Sequence, residues 1–319
     1  MQDDVTPKNG RGRKIACIAG AAFTAAGILF CGYQLVTVYQ GYAQAEDEYA
    51  YLRDSYLSRE IPEAQAVPEG TPERVPKDDL FFGRPWGDFP AVSVDVDSLY
   101  AENSDFYAWM LFPDGLVDYP VMQEPEGEEN VDFYLKRGFH KESLSAGCLF
   151  ASNELPFETE YSNFYIYGHN MKNGSMFGSL DDVYAQGELT GLTDPYFYLY
   201  NRKHEQVKYR ILSIYNVSDD DKEHYNAPGD PLSYDNYIQS ILEAGSVLEK
   251  FPLTEWEQEC VDMRSQLCTM YACFGKHGSG QRLFVHGVEI GREDFSGQPA
   301  EGEPVLEEDP AAEEGGEGI

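Results

Sequence analysis

Between residues 91 and 291 the chain breaks into short runs of β-branched and aromatic residues separated by turn formers. That punctuation limits the fold more than any other feature. The runs are VDYPVMQ (117–123), GCLFAS (147–152), NFYIYG (163–168), YFYLYN (196–201), VKYRILSIYNV (207–217), SQLCTMYA (265–272) and RLFVHGVEI (282–290). Many short strands in one domain point to a barrel or a sandwich. A single helical pattern interrupts them at 232–250, where Tyr234, Tyr237, Ile238, Ile241 and Leu242 fall at helical spacing and Ser233 stands where a cap is needed. The expectation is a mostly-β domain with a helix inserted ahead of the strand that carries the last two cysteines. No repeat of solenoid period is present.

The N-terminus follows different rules. Residues 15–45 carry no charged side chain, Lys8, Arg11, Arg13 and Lys14 precede them, and acidic EDEY follows. The run is long enough to span a bilayer. The positive-inside rule puts the N-terminus in the cytoplasm and the remainder outside. The competing reading is a cleaved leader, because Ala43, Gln44 and Ala45 form a small-residue cleavage pattern. The run is longer than the apolar part of such a leader, so an uncleaved anchor is expected. The organisation that follows is a cytoplasmic tail (1–14), an anchor (15–39), an extracellular stalk rich in Pro and Glu (40–90), a folded domain (91–291) and an acidic, disordered tail (292–319).

The formal net charge is −33. A nucleic-acid surface needs clustered Lys and Arg, so nucleic acid is excluded as a partner. Four cysteines, Cys148, Cys260, Cys268 and Cys273, fall outside the membrane, where one or two disulfides are the ordinary expectation. Cys268 and Cys273 cannot pair with each other along an extended strand, because five residues span about 16 Å. A zinc site from Cys268, Cys273 and His277 lacks the usual paired-thiolate spacing, and no metal or other cofactor is expected.

Alternation along the strand puts Met270 and Ala272 on one face, Tyr271 and Cys273 on the other, with Cys273 at the strand end. Arg282 opens the next strand after the Gly-rich turn GKHGSGQ, so hairpin pairing would set it beside Cys273. A guanidinium there can hold a substrate backbone and steady an oxyanion. Among the histidines, His140, His204 and His224 sit in polar loops, and His286 lies within a strand and packs beside it. His169 ends a strand and opens a polar loop, GHNMKNG, from which it can project into a cleft.

The segment NFYIYGHNMKNGSMFGSLDD resembles the histidine segment of class B sortases, the membrane-anchored cysteine transpeptidases of Gram-positive bacteria. YPVMQ, FYLKRGF and SAGCLF resemble the run before that histidine, and QRLFVHGVEI the arginine strand. The family's cysteine motif, Thr-Leu-x-Thr-Cys, is matched best by TMYAC, with Cys273 as nucleophile and Ala272 in place of the second Thr. In a second register, through LCTM, Met270 would take the nucleophile's place.

This resemblance implies a closed β-barrel with an inserted helix and an N-terminal transmembrane helix. It implies that Cys273, His169 and Arg282 are catalytic; Tyr225, by its position in the loop before the helix, and Tyr271, within the cysteine motif, are candidate substrate contacts. It further implies cleavage after Thr in a Pro- and Thr-containing sorting signal of a secreted protein, followed by transfer through a thioester to an amine of a peptidoglycan precursor or a pilin lysine. The alternatives are a cell-wall cysteine peptidase or amidase, which would use water in place of the amine, and an inactive sortase-fold binding module.

Overall fold

The computed structural model describes residues 10–59, 89–90, 92–125, 130, 132–151, 163–185, 188–220, 230–245, 247–275 and 279–294. The acidic tail beyond 294, most of the Pro/Glu-rich stretch, Tyr225, His224 and His277 lie outside the described residues. The chain begins with helix α1 (Gly10–Tyr56), then β1 (Leu57–Ser58), β2 (Ser93–Val94), α2 (Val96–Glu102), β3 (Phe106–Leu111), β4 (Asp118–Gln123) and a 3-10 turn (Phe133–Lys136). It continues with β5 (Leu149–Ala151), β6 (Asn163–Tyr167), α3 (Gly178–Val183), β7 (Tyr184–Ala185), β8 (Glu188–Leu189), β9 (Tyr196–Asn201) and β10 (Glu205–Ser218). Helices α4 (Pro231–Ala244), α5 (Val247–Lys250) and α6 (Glu255–Asp262) precede β11 (Leu267–Cys273) and β12 (Gln281–Asp294).

Eight strands close into a barrel in the order β10-β12-β11-β6-β5-β4-β3-β9, with β9 returning to β10. Closure leaves no free edge among these strands. Two neighbours run parallel, β11 with β6 and β4 with β5, and the other pairs are antiparallel. The expected closed, mostly-β architecture is therefore present, and each of the seven anticipated runs carries a barrel strand. The eighth, β3, has Phe106, Ala108, Trp109 and Met110 all fully buried. That run shows no alternation and so gives no period-2 signal.

The inserted helix differs in detail from its expected form. Asp230, not Ser233, caps α4: its carboxylate accepts from the N–H groups of Leu232 and Ser233, and Pro231 takes the first turn, where no donor is needed. Gly245 ends α4, and α5 and α6 follow as separate short helices. Helix α6 has a capping box in which Thr254 and Glu257 satisfy each other's backbone N–H. Helix α4 packs Tyr234, Tyr237, Ile238 and Ile241 inward. Tyr234 donates to the Ser265 carbonyl at 2.7 Å, just ahead of β11.

Helix α1 is one continuous element of 47 residues. At 1.5 Å per residue it is about 70 Å long, roughly twice the thickness of a hydrocarbon core. Its part from Ile18 onward contains a stretch long and apolar enough to cross a membrane, with Phe23, Leu29 and Leu35 each more than 70 % exposed. That is consistent with a membrane anchor. The far end is different. Ala45, Tyr49 and Leu52, spaced i, i+4, i+7, are buried in the same core as the barrel. Tyr49 donates to the Gly147 carbonyl and packs edge-on against Tyr119 at 5.2 Å. Arg53 donates to the Asp118 carbonyl at 3.3 Å.

Strand β1 then pairs with β2, holding residues 57–58 against 93–94. The segment expected to act as a stalk from residue 40 thus starts as packed helix, and the chain on either side of 60–88 is pinned together. A fragment starting at residue 91 loses the Tyr49 and Leu52 contacts and β1. Relative to one starting at residue 40 it should lose on the order of 3–5 kcal/mol of stability, checked by urea unfolding of the two fragments.

The same joint carries a pair of facing carboxyls. Glu48 of α1 accepts from the Phe139 N–H at 2.7 Å and lies against Glu142, and any side chain at position 138 in place of Gly138 would run into both. His140 Nδ1 stands 3.7 Å from Glu48, and its Nε2 stands 3.2 Å from Glu102. Burial, then the hydrogen bond and charge of Glu142, push the Glu48 pKa up from 4.5 to about 7, against the opposing Phe139 N–H and His140. A carboxyl whose folded pKa is raised contributes full stability below its unfolded pKa and loses it as pH rises through the folded one. The melting temperature of a fragment spanning 40–294 should therefore fall between about pH 4.5 and 7, and Glu48→Gln should flatten that slope. An unchanged slope in the variant would place the titration elsewhere.

Candidate active site

Cys273 is the last residue of β11, and its position follows from strand parity. Met270 and Ala272 are buried in the barrel, whereas Tyr271 is half-buried and Cys273 exposed, as alternation required. On one side β12 sets Arg282 directly opposite Cys273. On the other side β6 runs parallel to β11 with Tyr167 level with Tyr271. His169 follows two residues after Tyr167, as Cys273 follows two after Tyr271. The link continues past the paired strands: Gly168 N–H donates to the Tyr271 carbonyl at 3.2 Å, and Asn170 Nδ2 donates to the Cys273 carbonyl at 3.0 Å. The thiol thus ends a central strand whose two neighbours end in a histidine segment and an arginine.

Gly168 makes this approach possible. A Cβ there would come within 2.4 Å of Leu149 Cδ2 and 2.6 Å of Phe177 Cδ2. The loop after His169 is closed by an Asn170–Met176 bridge and by Phe177 N–H donating to the His169 carbonyl at 3.0 Å. The turn beyond Cys273 is tied to a neighbouring element, with Gly275 N–H donating to Asp181 of α3 at 3.1 Å.

Arg282 is held on two sides. Its Nε donates to the Tyr271 hydroxyl at 2.8 Å, and one terminal nitrogen lies 3.4 Å from the Asp219 carboxylate. Burial works against its charge, but Tyr271, Cys273 and Asp219 outweigh that and raise the guanidinium pKa. Tyr271, expected from the sequence to touch substrate, has its hydroxyl turned to Arg282. Asn170 and Asp219 went unnoticed in the sequence. Asn170 adjoins His169 and had a local signal; Asp219 meets Arg282 only through the β10–β12 pairing.

Beneath the site a buried polar chain ties four barrel strands and α4 together. Thr269 donates to Asn163 Oδ1 at 2.8 Å and meets His286 Nδ1 at 2.8 Å; His286 Nε2 meets the Tyr215 hydroxyl at 2.8 Å. Asn163 Nδ2 donates to the Tyr237 hydroxyl of α4 at 2.9 Å. Thr269 gives its one proton to Asn163, so its oxygen is left to accept from His286 Nδ1–H. His286 is thus a packed strand residue, as the sequence suggested.

The expected disulfides are absent. Cys148, Cys260 and Cys268 are buried and unpaired, each within the hydrophobic core, where sulfur packs as a small apolar group. Among the described residues one group, Glu48, His140 and Glu142, brings potential metal-ligand atoms within 4.8 Å of one another. It belongs to the α1 joint and shares no residue with the Cys273 cluster.

No family model matches the chain. A Sortase B of Listeria monocytogenes is 35% identical over 89 residues, 28% of this chain and 35% of the relative. A Sortase B of Staphylococcus aureus is 25% identical over 162 residues, 50% of this chain and 57% of the relative. The chain thus spans between about a third and somewhat over half of the length of these curated relatives. Among solved structures, sortase B of Clostridium perfringens aligns with 61% of this chain and 98% of its own at TM-score 0.50 and 23% identity. Sortase B of Bacillus anthracis aligns with 78% and 97% at TM-score 0.55 and 20% identity. The barrel is a sortase B fold. The resemblance to class B sortases read from the sequence motifs is borne out by both kinds of comparison.

Within this sortase B fold the cysteines differ sharply in accessibility. Burial pushes the Cys148 and Cys268 thiols far up, and the Cys260 thiol up to about 12. A thiol-reactive probe at neutral pH should therefore label Cys273 first in the folded chain carrying Cys17→Ser and Cys31→Ser, as read by peptide mapping. Labelling of Cys268 ahead of Cys273 would overturn this ranking of the thiols. His286→Ala should remove one buried hydrogen-bond partner each from Thr269 and Tyr215 and cost about 1–3 kcal/mol in a melting experiment, while leaving Cys273 labelling intact at low temperature.

Proposed function

We propose that this chain is a class B-like sortase, a cysteine transpeptidase anchored in the membrane by α1 with its N-terminus in the cytoplasm and its barrel outside. The sortase B similarity supports a sortase-type transpeptidase. The observation that carries the finer reading is the exposed Cys273 thiol, opposite Arg282 across β12 and on the strand whose parallel neighbour β6 leads into His169. The register through TMYAC, with Cys273 as nucleophile, draws support from the same exposure, since Met270 is 1% exposed.

In this reading Cys273 Sγ, as thiolate, attacks the carbonyl carbon of a threonine in a Pro- and Thr-containing sorting signal near the C-terminus of a secreted protein. The tetrahedral oxyanion that forms is opposite the Arg282 guanidinium, a fixed cation suited to it. His169 donates its proton to the departing amide nitrogen, the C–N bond breaks, and a thioester remains on Cys273. An amine then attacks the thioester, losing its proton to His169, and the thiolate leaves. The amine belongs to a peptidoglycan precursor or a pilin lysine. Tyr225 is offered as a substrate contact on position in the sequence alone.

The test is product mass spectrometry with a panel of Pro- and Thr-containing peptides, with and without an amine acceptor such as triglycine. The expected product is the N-terminal fragment joined to the acceptor, formed by the wild type and lost, by at least about a thousandfold, in Cys273→Ala and His169→Ala. His286→Ala should remain active. Release of free acid alone, unaffected by the acceptor, would assign the chain to wall peptidases or amidases. Activity surviving Cys273→Ala would remove the assignment of the nucleophile.

A further inference from the structure

We infer that Tyr271 is a positioning residue that acts through Arg282, with Asp219 as the second arm of the same clamp, and that it is not primarily a substrate contact. This deepens the function proposed above and rests on it for the meaning of Arg282. Position 271 is the variable position of the cysteine motif, and nothing in the similarity to known proteins assigns it a role.

The case is geometric. Tyr271 and Arg282 are diagonal neighbours across the β11–β12 hairpin, because Cys273 pairs with Arg282 and Tyr271 with Phe284. Diagonal side chains on one face are within reach when they are long. The Tyr271 ring is held edge-on between Tyr167 at 5.4 Å and Phe284 at 5.1 Å. A ring wedged this way has few alternative positions, so its hydroxyl is a fixed acceptor. Arg282 Nε–H donates to it at 2.8 Å. Asp219 holds a terminal nitrogen from the other side at 3.4 Å, and its own N–H is tied to the Gly280 carbonyl at 2.9 Å. The second terminal nitrogen donates to the Gln281 carbonyl at 3.1 Å.

Two donors of the guanidinium fork are thereby hydrogen-bonded, Nε–H and one on a terminal nitrogen, and the other terminal nitrogen is ion-paired with Asp219. Among the described residues, the terminal N–H groups left over are the ones available to an incoming carbonyl oxygen. A planar fork fixed at Nε cannot swing about its last carbon bonds, so the orientation of those remaining donors beside Cys273 is set before substrate arrives. Asp219 also partly balances the cation, which keeps it paired in the absence of an anionic group on the thiol.

The experiment is a double-mutant cycle on the full chain carrying Cys17→Ser and Cys31→Ser, read by the rate at which iodoacetamide alkylates Cys273 and, for whichever panel peptide is cleaved, by kcat and KM separately. The Tyr271→Phe variant keeps the ring between Tyr167 and Phe284 and removes only the acceptor. Arg282→Ala should slow alkylation at pH 7 by about tenfold, through loss of the nearby cation. Tyr271→Phe should slow it by a smaller factor, and in the Arg282→Ala background it should change nothing further. With a peptide substrate, Tyr271→Phe should lower kcat with KM little changed, and Asp219→Asn should behave alike.

An undiminished effect of Tyr271→Phe in the Arg282→Ala background, or an effect confined to KM, would overturn the inference and return Tyr271 to a direct contact. No effect of Tyr271→Phe in either background would also overturn it. The alkylation arm needs no substrate. Absence of acyl transfer with every peptide would therefore count against the proposed function, while the cycle would still decide the clamp.

Discussion

The hydrogen-bonded chain from Tyr237 through Asn163, Thr269 and His286 to Tyr215 is the interaction on which the rest of the structure depends. It crosses β6, β11, β12 and β10 and ends on α4. Hydrophobic burial closes the barrel but does not choose between registers two residues apart, since each keeps the same face inward. A buried polar chain does choose. Sliding β11 by two residues past β6 or β12 would put Leu267 or Tyr271 in the place of Thr269 and remove the hydroxyl that joins Asn163 to His286, at a cost of about 1–3 kcal/mol for each buried polar group left without that partner.

Register is what the proposed chemistry needs. His169, Cys273 and Arg282 come from three strands and have no contact in sequence. They are brought to one end of the barrel because β6, which leads into His169, is parallel to β11 with Tyr167 beside Tyr271, and because β12 is antiparallel with Arg282 beside Cys273. The parallel pair lets a histidine that follows one strand and a cysteine that ends another emerge at the same rim of the barrel. Gly168 permits the crowding against Leu149 and Phe177 there, and Asn170 ties the histidine loop to the Cys273 carbonyl. Helix α4 contributes from outside, since Tyr237 and Tyr234 hold the start of β6 and the approach to β11.

Much of this was legible in the sequence because it obeys local periodicity. The burial of Met270 and Ala272 beneath an exposed Cys273 is plain alternation, and Arg282 follows a short Gly-rich turn that only a hairpin accommodates. The helix inserted before β11 had a 3.6-residue pattern, although its start was misplaced because Asp230 followed by Pro231 outcompetes Ser233 as a cap. Helix α6 could have been read from Thr254 and Glu257, which form a capping box. The burial of Tyr49 and Leu52 could not, because a stripe on a charged, Tyr-rich helix does not say what covers it. The Tyr271–Arg282–Asp219 clamp was invisible for a related reason. Its three members meet only when two strand pairings are known together. The free state of Cys148 and Cys260 likewise depends on where the core places them and not on their spacing.

The proposed chemistry requires that Cys273 become acylated. Intact-mass analysis of the chain, quenched in acid during turnover of a cleaved peptide, measures this directly. The account predicts an adduct equal in mass to the N-terminal peptide fragment less water, mapped to Cys273 and discharged by hydroxylamine or by the amine acceptor. Cleavage with the adduct on another residue, or sustained turnover of the Cys273→Ala chain, would contradict it.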